Sequence, residues 1–282
     1  MRFIKFLAFI LSVQISVAFA SYPQISSLHE LEEALSKADE KTLIVFDVDE
    51  VLITTKDHFL HPYALDDFFL WAQRAFENAK SEEEKIDVEE KLSLCMLLPE
   101  RVLIEENAPK LIEKLQKKKA KVIALTSCRT GTFGVIPKVE KWRFEHLQSL
   151  GVDFSSAFSH IPRHEFHAMA SSGKRAPLFE NGILFSKGYE KGDLLLAFLK
   201  VSDFKPTQVI FIDDLTENIE SVEKALQSLN IPCKSYHYLG AKRFFKKPDA
   251  QILRAQFEHL MRHREWLSDE EIKERLYFKE AS

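Results

Sequence analysis

Thr42-Leu43-Ile44-Val45-Phe46-Asp47-Val48-Asp49-Glu50-Val51-Leu52 is the stretch on which the fold turns. Its first five residues are β-branched, aliphatic and aromatic, the composition of a strand buried on both faces of a sheet. Two aspartates, two positions apart, then close the run. Carboxylates at the end of a buried strand are costly unless they are paired or bound to a cation, so their placement calls for a chemical reason. As the chain leaves the strand, the Asp47 side chain and the Asp49 backbone carbonyl can share a cation while the Asp49 carboxyl faces a substrate.

The same arrangement recurs twice. Lys121-Val122-Ile123-Ala124-Leu125 ends at Thr126, and Val209-Ile210-Phe211-Ile212 ends at Asp213 and Asp214. Helical patterns lie between, notably 108–118 and 216–229, which is the alternation of an α/β protein with a parallel sheet and right-handed crossovers. Ligands of such sheets bind beyond the carboxyl ends of the strands, where all these polar residues are delivered. A further strand is expected near Lys234 to Tyr238. A helix over Ser27 to Ala38 is announced by the capping-box spacing of Ser27 and Glu30, and a terminal helix by Ser268-Asp269-Glu270-Glu271.

Two segments interrupt the alternation. Residues 54–106 are helical in pattern and rich in aromatics, among them Phe68, Phe69, Trp71 and Phe76, and read as an inserted helical cap of about 56–106 with a core of its own. A second insertion runs from Thr132 to Glu190, with a helix near Val139 to Leu150 and a tight hairpin turn at Asn181-Gly182.

In order along the chain, then, come Asp47-x-Asp49-x-Val51, Thr126, Lys191 opening an amphipathic helix, and Asp213-Asp214. This series resembles the four motifs of the haloacid dehalogenase-like superfamily, over roughly Thr42 to Leu239. The whole chain is also similar to an exported, functionally uncharacterised bacterial branch of that superfamily. The resemblance implies a HAD-like Rossmannoid sheet flanked by helices, one hydrolase domain over 21–282, and a phosphatase.

Asp47 is then the nucleophile that forms an aspartyl-phosphate, and Asp49, at the plus-two position, the general acid and base. Thr126 would hydrogen-bond a phosphoryl oxygen. Lys191 would neutralise the transferring group, with Lys187 as its competitor. Several negative groups meeting in one place ask for a hard cation with oxygen ligands, Mg2+, on Asp47, the Asp49 carbonyl and the Asp213-Asp214 pair. Asp214 aligns as the likelier direct ligand, Asp213 falls where glycine is common, and Asn218 replaces the last acid of that motif. Ser127 and Arg129 either line the phosphate site or cap the strand end. His160, His164 and His167 lack a partner motif for metal.

The ends and composition bound the setting. Arg2 and Lys5 precede an apolar stretch from Phe6 to Val17 and the small-residue site Ala18-Phe19-Ala20, which reads as a signal peptide over 1–20 cleaved before Ser21. The competing reading is an uncleaved membrane anchor. Export to a bacterial periplasm or beyond is expected, with no stable membrane span after cleavage. Thirty-nine basic against 43 acidic residues, a net charge of −4, give no argument for a nucleic-acid partner. Cys95, Cys128 and Cys233 allow at most one intrachain disulfide and are read as packing residues. The partner expected is a small phosphorylated substrate; the oligomeric state is open. The reading from another class is a catalytically silent exported binding protein that engages an envelope or host partner.

Overall fold

The computed structural model describes residues 22–170, 175–246 and 249–280, so the expected leader and its cleavage point lie outside the described residues. In chain order the strands are β1 (Gln24–Ile25), β2 (Thr42–Phe46), β3 (Ile53–Thr55), β4 (Arg101–Leu103), β5 (Lys121–Thr126), β6 (Arg163–Glu165), β7 (Leu178–Glu180), β8 (Ile183–Phe185), β9 (Gln208–Asp213) and β10 (Cys233–Tyr238). The α-helices are α1 (Glu32–Ser36), α2 (Pro62–Asn78), α3 (Glu82–Leu97), α4 (Ala108–Lys117), α5 (Val139–Ser149), α6 (Lys191–Ser202), α7 (Thr216–Ser228), α8 (Ala250–His263) and α9 (Asp269–Glu280). The first expected helix is split. Leu28–Leu31 is a 3-10 turn under the Ser27 capping box, and α1 follows it.

Eight strands form one sheet in the order β1-β10-β9-β2-β5-β8-β7-β6. The pairings from β1 through β8 are parallel, and β7 and β6 add an antiparallel edge. Alternate residues of the central strands go to opposite faces, as a period of two requires. Ile44, Phe46, Val122, Ala124, Ile210 and Ile212 pack on the side that includes α4. Leu43, Val45, Ile123, Leu125, Val209 and Phe211 pack against Leu194, Phe198, Val222 and Leu226 of α6 and α7. The protein is therefore α/β, with a mostly parallel central sheet flanked by helices. Among the described residues no helix is long and apolar enough to cross a membrane.

Registers place the strand ends together. Phe46 lies beside Ile212 of β9 and Ala124 of β5, so Asp47, Asp213 and Thr126 leave the sheet at the same edge. The second insertion departs from expectation. Its hairpin does form, with Asn181 and Gly182 both at positive φ, 50° and 78°, but β8 pairs in parallel with β5 and so belongs to the main sheet. Phe179 and Leu184 bury against the α6 side, which makes the hairpin part of the core.

The cap also differs. The β3–β4 ribbon clasps its base, and α2 and α3 form its body. Its core is not its own: Phe59, Val88 and Leu92 pack with Leu253, Phe257 and Leu260 of α8, a helix the sequence pattern did not announce. Phe68 and Trp71 join this cluster, whereas Phe69 and Phe76 are exposed. Polar contacts seal the join. The Asp57 carboxylate accepts from Trp266 Nε1 at 2.7 Å and from the Asp269 backbone N–H at 3.1 Å. Arg264 pairs with Asp87 and Glu90, at 2.5 and 2.9 Å.

Truncating Leu260, which is fully buried between α8 and the cap, tests this shared core. Leu260→Ala is expected to destabilise the protein by about 2–5 kcal/mol in urea denaturation. Leu229→Ala, at a site 52% exposed, is expected to stay within about 0.5 kcal/mol.

Candidate active site

The site is assembled at the carboxyl end of β2, β5 and β9. Lys191, the first residue of α6, is buried, and its Nζ lies 2.9 Å from Asp47 Oδ2 and 2.7 Å from Asp213 Oδ2. The alternation of α6 explains the aim: Leu194, Leu195 and Phe198 fix the helix on the sheet, and its N-terminus points Lys191 at the ends of β2 and β9. Lys187, the competitor, sits at φ 50° in the preceding turn and makes neither contact.

Asp213 is fully buried and committed. Besides Lys191 it accepts from the Leu215 backbone N–H and from Asn218 Nδ2, each at 2.9 Å. Asn218 therefore holds Asp213 in place. One oxygen each of Asp47, Asp213 and Asp214 lies within 4.8 Å of the others, and among the described residues these three form the one group of His, Cys, Asp or Glu placed to hold a metal ion. His160, His164 and His167 are no part of it. Asp49's carboxylate is also apart from the group and lies on Arg143 instead.

Electrostatics show what the cluster needs. Burial, with Asp213 and Asp214 beside it, overrides the attraction of Lys191 and holds the Asp47 carboxyl well above the usual range. Burial and Asp213 likewise push Asp214 up to about 7. For Lys191 the balance runs the other way: burial works to lower its pKa, but Asp47 and Asp213 outweigh it and the ammonium is held above its ordinary value. One ammonium cannot neutralise three adjoining carboxylates. Oxygen donors in excess of buried positive charge suit a hard divalent cation, so the residues fit Mg2+, with Asp47 and Asp214 as available ligands and Asp213 largely engaged.

Thr126 is buried, and its Oγ1 accepts the Cys128 backbone N–H at 3.1 Å, which caps the end of β5 beside the acids. Arg129 stacks over Phe133 at 3.9 Å from the ring centroid and is half-exposed. The three cysteines are unpaired.

Two residues escaped the sequence reading. Glu50 follows Asp49 at φ 62°, a left-handed conformation that costs a non-glycine residue roughly 1–3 kcal/mol. Burial, with Asp49 and Asp47 nearby, pushes its carboxyl up to about 8 even though Thr54 Oγ1 donates to it at 3.2 Å. Arg143 of α5 is 4% exposed and pairs with Asp49 at 3.0 Å. A signal for it existed: Val139, Arg143 and Leu147 are spaced i, i+4, i+8 and all three are buried, so a charge occupies a core-facing position of the helix.

Lys191→Met leaves Asp47 and Asp213 buried without their cation and is expected to cost about 3–5 kcal/mol in urea denaturation. Adding Asp213→Asn is expected to recover part of that loss. Asp214 makes stability depend on pH in the metal-free protein: its contribution is whole below the unfolded-state value of 3.8 and is lost as pH rises to about 7. The melting temperature of chelator-treated protein is expected to fall across that window, and Asp214→Asn to flatten the slope.

An uncharacterized protein of Rickettsia prowazekii is 23% identical to this chain over 259 residues, covering 90% of this chain and 92% of its own. An uncharacterized protein of Rickettsia felis is 26% identical over 246 residues, covering 84% and 83%. A Chlamydia trachomatis protein named "Putative outer membrane protein" is 24% identical over 251 residues, 86% of each chain. No solved structure matches. A family model matches residues 24–273, from β1 into α9 and across the whole acidic cluster, and by that match the chain belongs to the family described as "Protein of unknown function (DUF2608)".

Proposed function

We propose that this protein is an exported, Mg2+-dependent phosphohydrolase of the haloacid dehalogenase-like kind, working through an aspartyl-phosphate on Asp47. The observation that carries the reading is the buried Lys191 ammonium held between Asp47 and Asp213, with Asp214 alongside. That grouping stands at the carboxyl end of parallel strands, the place where α/β sheets bind their ligands. The order Asp47-x-Asp49, Thr126, Lys191, Asp213-Asp214 supports the same family of chemistry.

In this reading an oxygen of Asp47 attacks phosphorus, and the bond from phosphorus to the leaving oxygen breaks. Asp49 gives that oxygen a proton. Water then attacks the aspartyl-phosphate, Asp49 takes up its proton, and inorganic phosphate departs with Asp47 restored. Lys191 balances charge on Asp47 and on the transferring group, within a buried setting that strengthens the effect. Thr126, at the same sheet edge, is the hydroxyl available to a phosphoryl oxygen. Asp47, Asp214 and the Asp49 carbonyl would hold the cation, which would supply further charge neutralisation and favour the ionised form of Asp47.

Export is supported by the basic, apolar and small-residue order of Met1 to Ala20. The name of the Chlamydia relative points the same way.

The test is turnover of p-nitrophenyl phosphate and of a panel of phosphorylated metabolites by protein starting at Ser21, with Mg2+. Asp47→Asn and Asp49→Asn are each expected to lower kcat by about a thousandfold or more, and a chelator to abolish turnover until Mg2+ is returned. Absence of turnover across the panel, together with absence of Mg2+-dependent vanadate binding, would overturn the reading.

A further inference from the structure

The role of Arg143 rests on the phosphohydrolase reading, in which Asp49 is the group brought to the leaving oxygen. The Asp49 carboxylate is occupied elsewhere: both oxygens lie on Arg143 Nη2, at 3.0 and 3.2 Å. With both oxygens engaged there, the half-exposed Asp49 carboxylate has to be redirected to meet a leaving group. Asp49 must come away from Arg143 for the first proton transfer.

Arg143 cannot simply be abandoned. Its side chain is 4% exposed, and its Nε and Nη1 are buried without an acceptor. Arg101, from the base of the cap, stands beside it and gives its own Nη1 to the backbone carbonyls of Met96 and Pro99, at 2.6 and 3.4 Å. The two guanidiniums flank the Trp142 ring, with Cζ 5.0 Å from its centroid for Arg143 and 5.4 Å for Arg101. Among the described residues Asp49 is the one carboxylate paired with either. The other titratable neighbours of Arg143 cannot replace it. Burial, with Arg143 and Arg101 nearby, pushes His146 down to about 4, and burial pushes the Cys128 thiol up, so both remain neutral at neutral pH. A buried cation that loses its one counter-ion is strongly disfavoured. Whatever releases Asp49 must therefore bring an anion of its own to Arg143.

We infer that the preferred substrates are phosphomonoesters whose leaving portion carries a second anionic group, a carboxylate or a further phosphate, which takes Arg143 in place of Asp49 and frees Asp49 to face the leaving oxygen. Arg143 thereby reads the substrate twice, once by affinity and once by releasing the acid. Planar guanidinium recognition suits either anion. In this reading the transferring phosphoryl group is engaged by Asp47, Lys191 and Thr126, so a phosphomonoester with an uncharged leaving portion brings no second anion for the exchange.

Matched pairs separate the two anions: 3-phosphoglycerate against glycerol 3-phosphate for the carboxylate, and fructose 1,6-bisphosphate against fructose 6-phosphate for the phosphate. In the wild-type protein with Mg2+, kcat/KM is expected to favour the doubly anionic member of at least one pair by about tenfold or more, the order of one charge-assisted contact. Arg143→Met is expected to bring that ratio to within about twofold, and Arg143→Lys to restore part of it. Calorimetric titration of the same pairs into Asp47→Asn protein reads the preference without turnover, with Arg143→Met added to the same chain as the comparison. Equal affinity within both pairs there, or a preference that survives Arg143→Met, overturns the inference. An inactive wild-type protein whose Asp47→Asn form still shows an Arg143-dependent preference would sink the phosphohydrolase reading and leave Arg143 as an anion site.

Discussion

The contact on which the rest of this structure depends is the buried ammonium of Lys191 between Asp47 and Asp213. It joins the ends of β2 and β9, two central strands, to the first residue of α6. Without it, two carboxylates would face each other at the most buried part of the sheet edge, and the strands could not both end in acids. The other donors around it, two from the main chain and one from a side chain, serve the same end. The Val48 N–H donates to Asp47 at 2.7 Å, and the Leu215 N–H and Asn218 amide donate to Asp213.

Even so, the cluster is left with more acid than base. Asp47, Glu50 and Asp214 all have carboxyls pushed upward, chiefly by burial, and each feels at least one of the other acids. A protein shaped only for stability has no use for such crowding, since apolar residues of similar volume would serve at least as well. Perturbed carboxyls concentrated in one place make this cluster the candidate functional site among the described residues. The left-handed backbone at Glu50 adds to that picture, because strain of this kind persists where the surroundings dictate it.

The sequence made the frame of this site legible for a simple reason. Each of the three strands that carry it is an unbroken apolar run, and a polar residue at the end of such a run has few places to be except the sheet edge. Lys191 was legible because an amphipathic helix begins on it. Arg143 was not, since one arginine within a charged helix looks like a solvated residue until its partners are known; only its place on the buried stripe between Val139 and Leu147 set it apart. The hairpin at Asn181-Gly182 was visible from turn chemistry, but its membership of the main sheet rests on pairing with β5, more than fifty residues earlier, which local pattern does not encode. The cap was read as self-sufficient for the same reason: its partner, α8, lies some 150 residues further along, and a pattern within residues 56–106 carries no trace of it.

The dependence of the cap on α8 bears on how the molecule is made. A chain synthesised from its amino terminus completes β2, the cap segment and β9 well before residues 250–263 emerge. Until then Phe59, Val88 and Leu92 have no α8 to close over them, and Asp57 has neither Trp266 nor the Asp269 N–H. Cap assembly thus waits until residues 250–263 have been made. The nascent chain therefore carries an apolar surface that residues 250–263 cover later, and that surface disappears when α8 folds onto it.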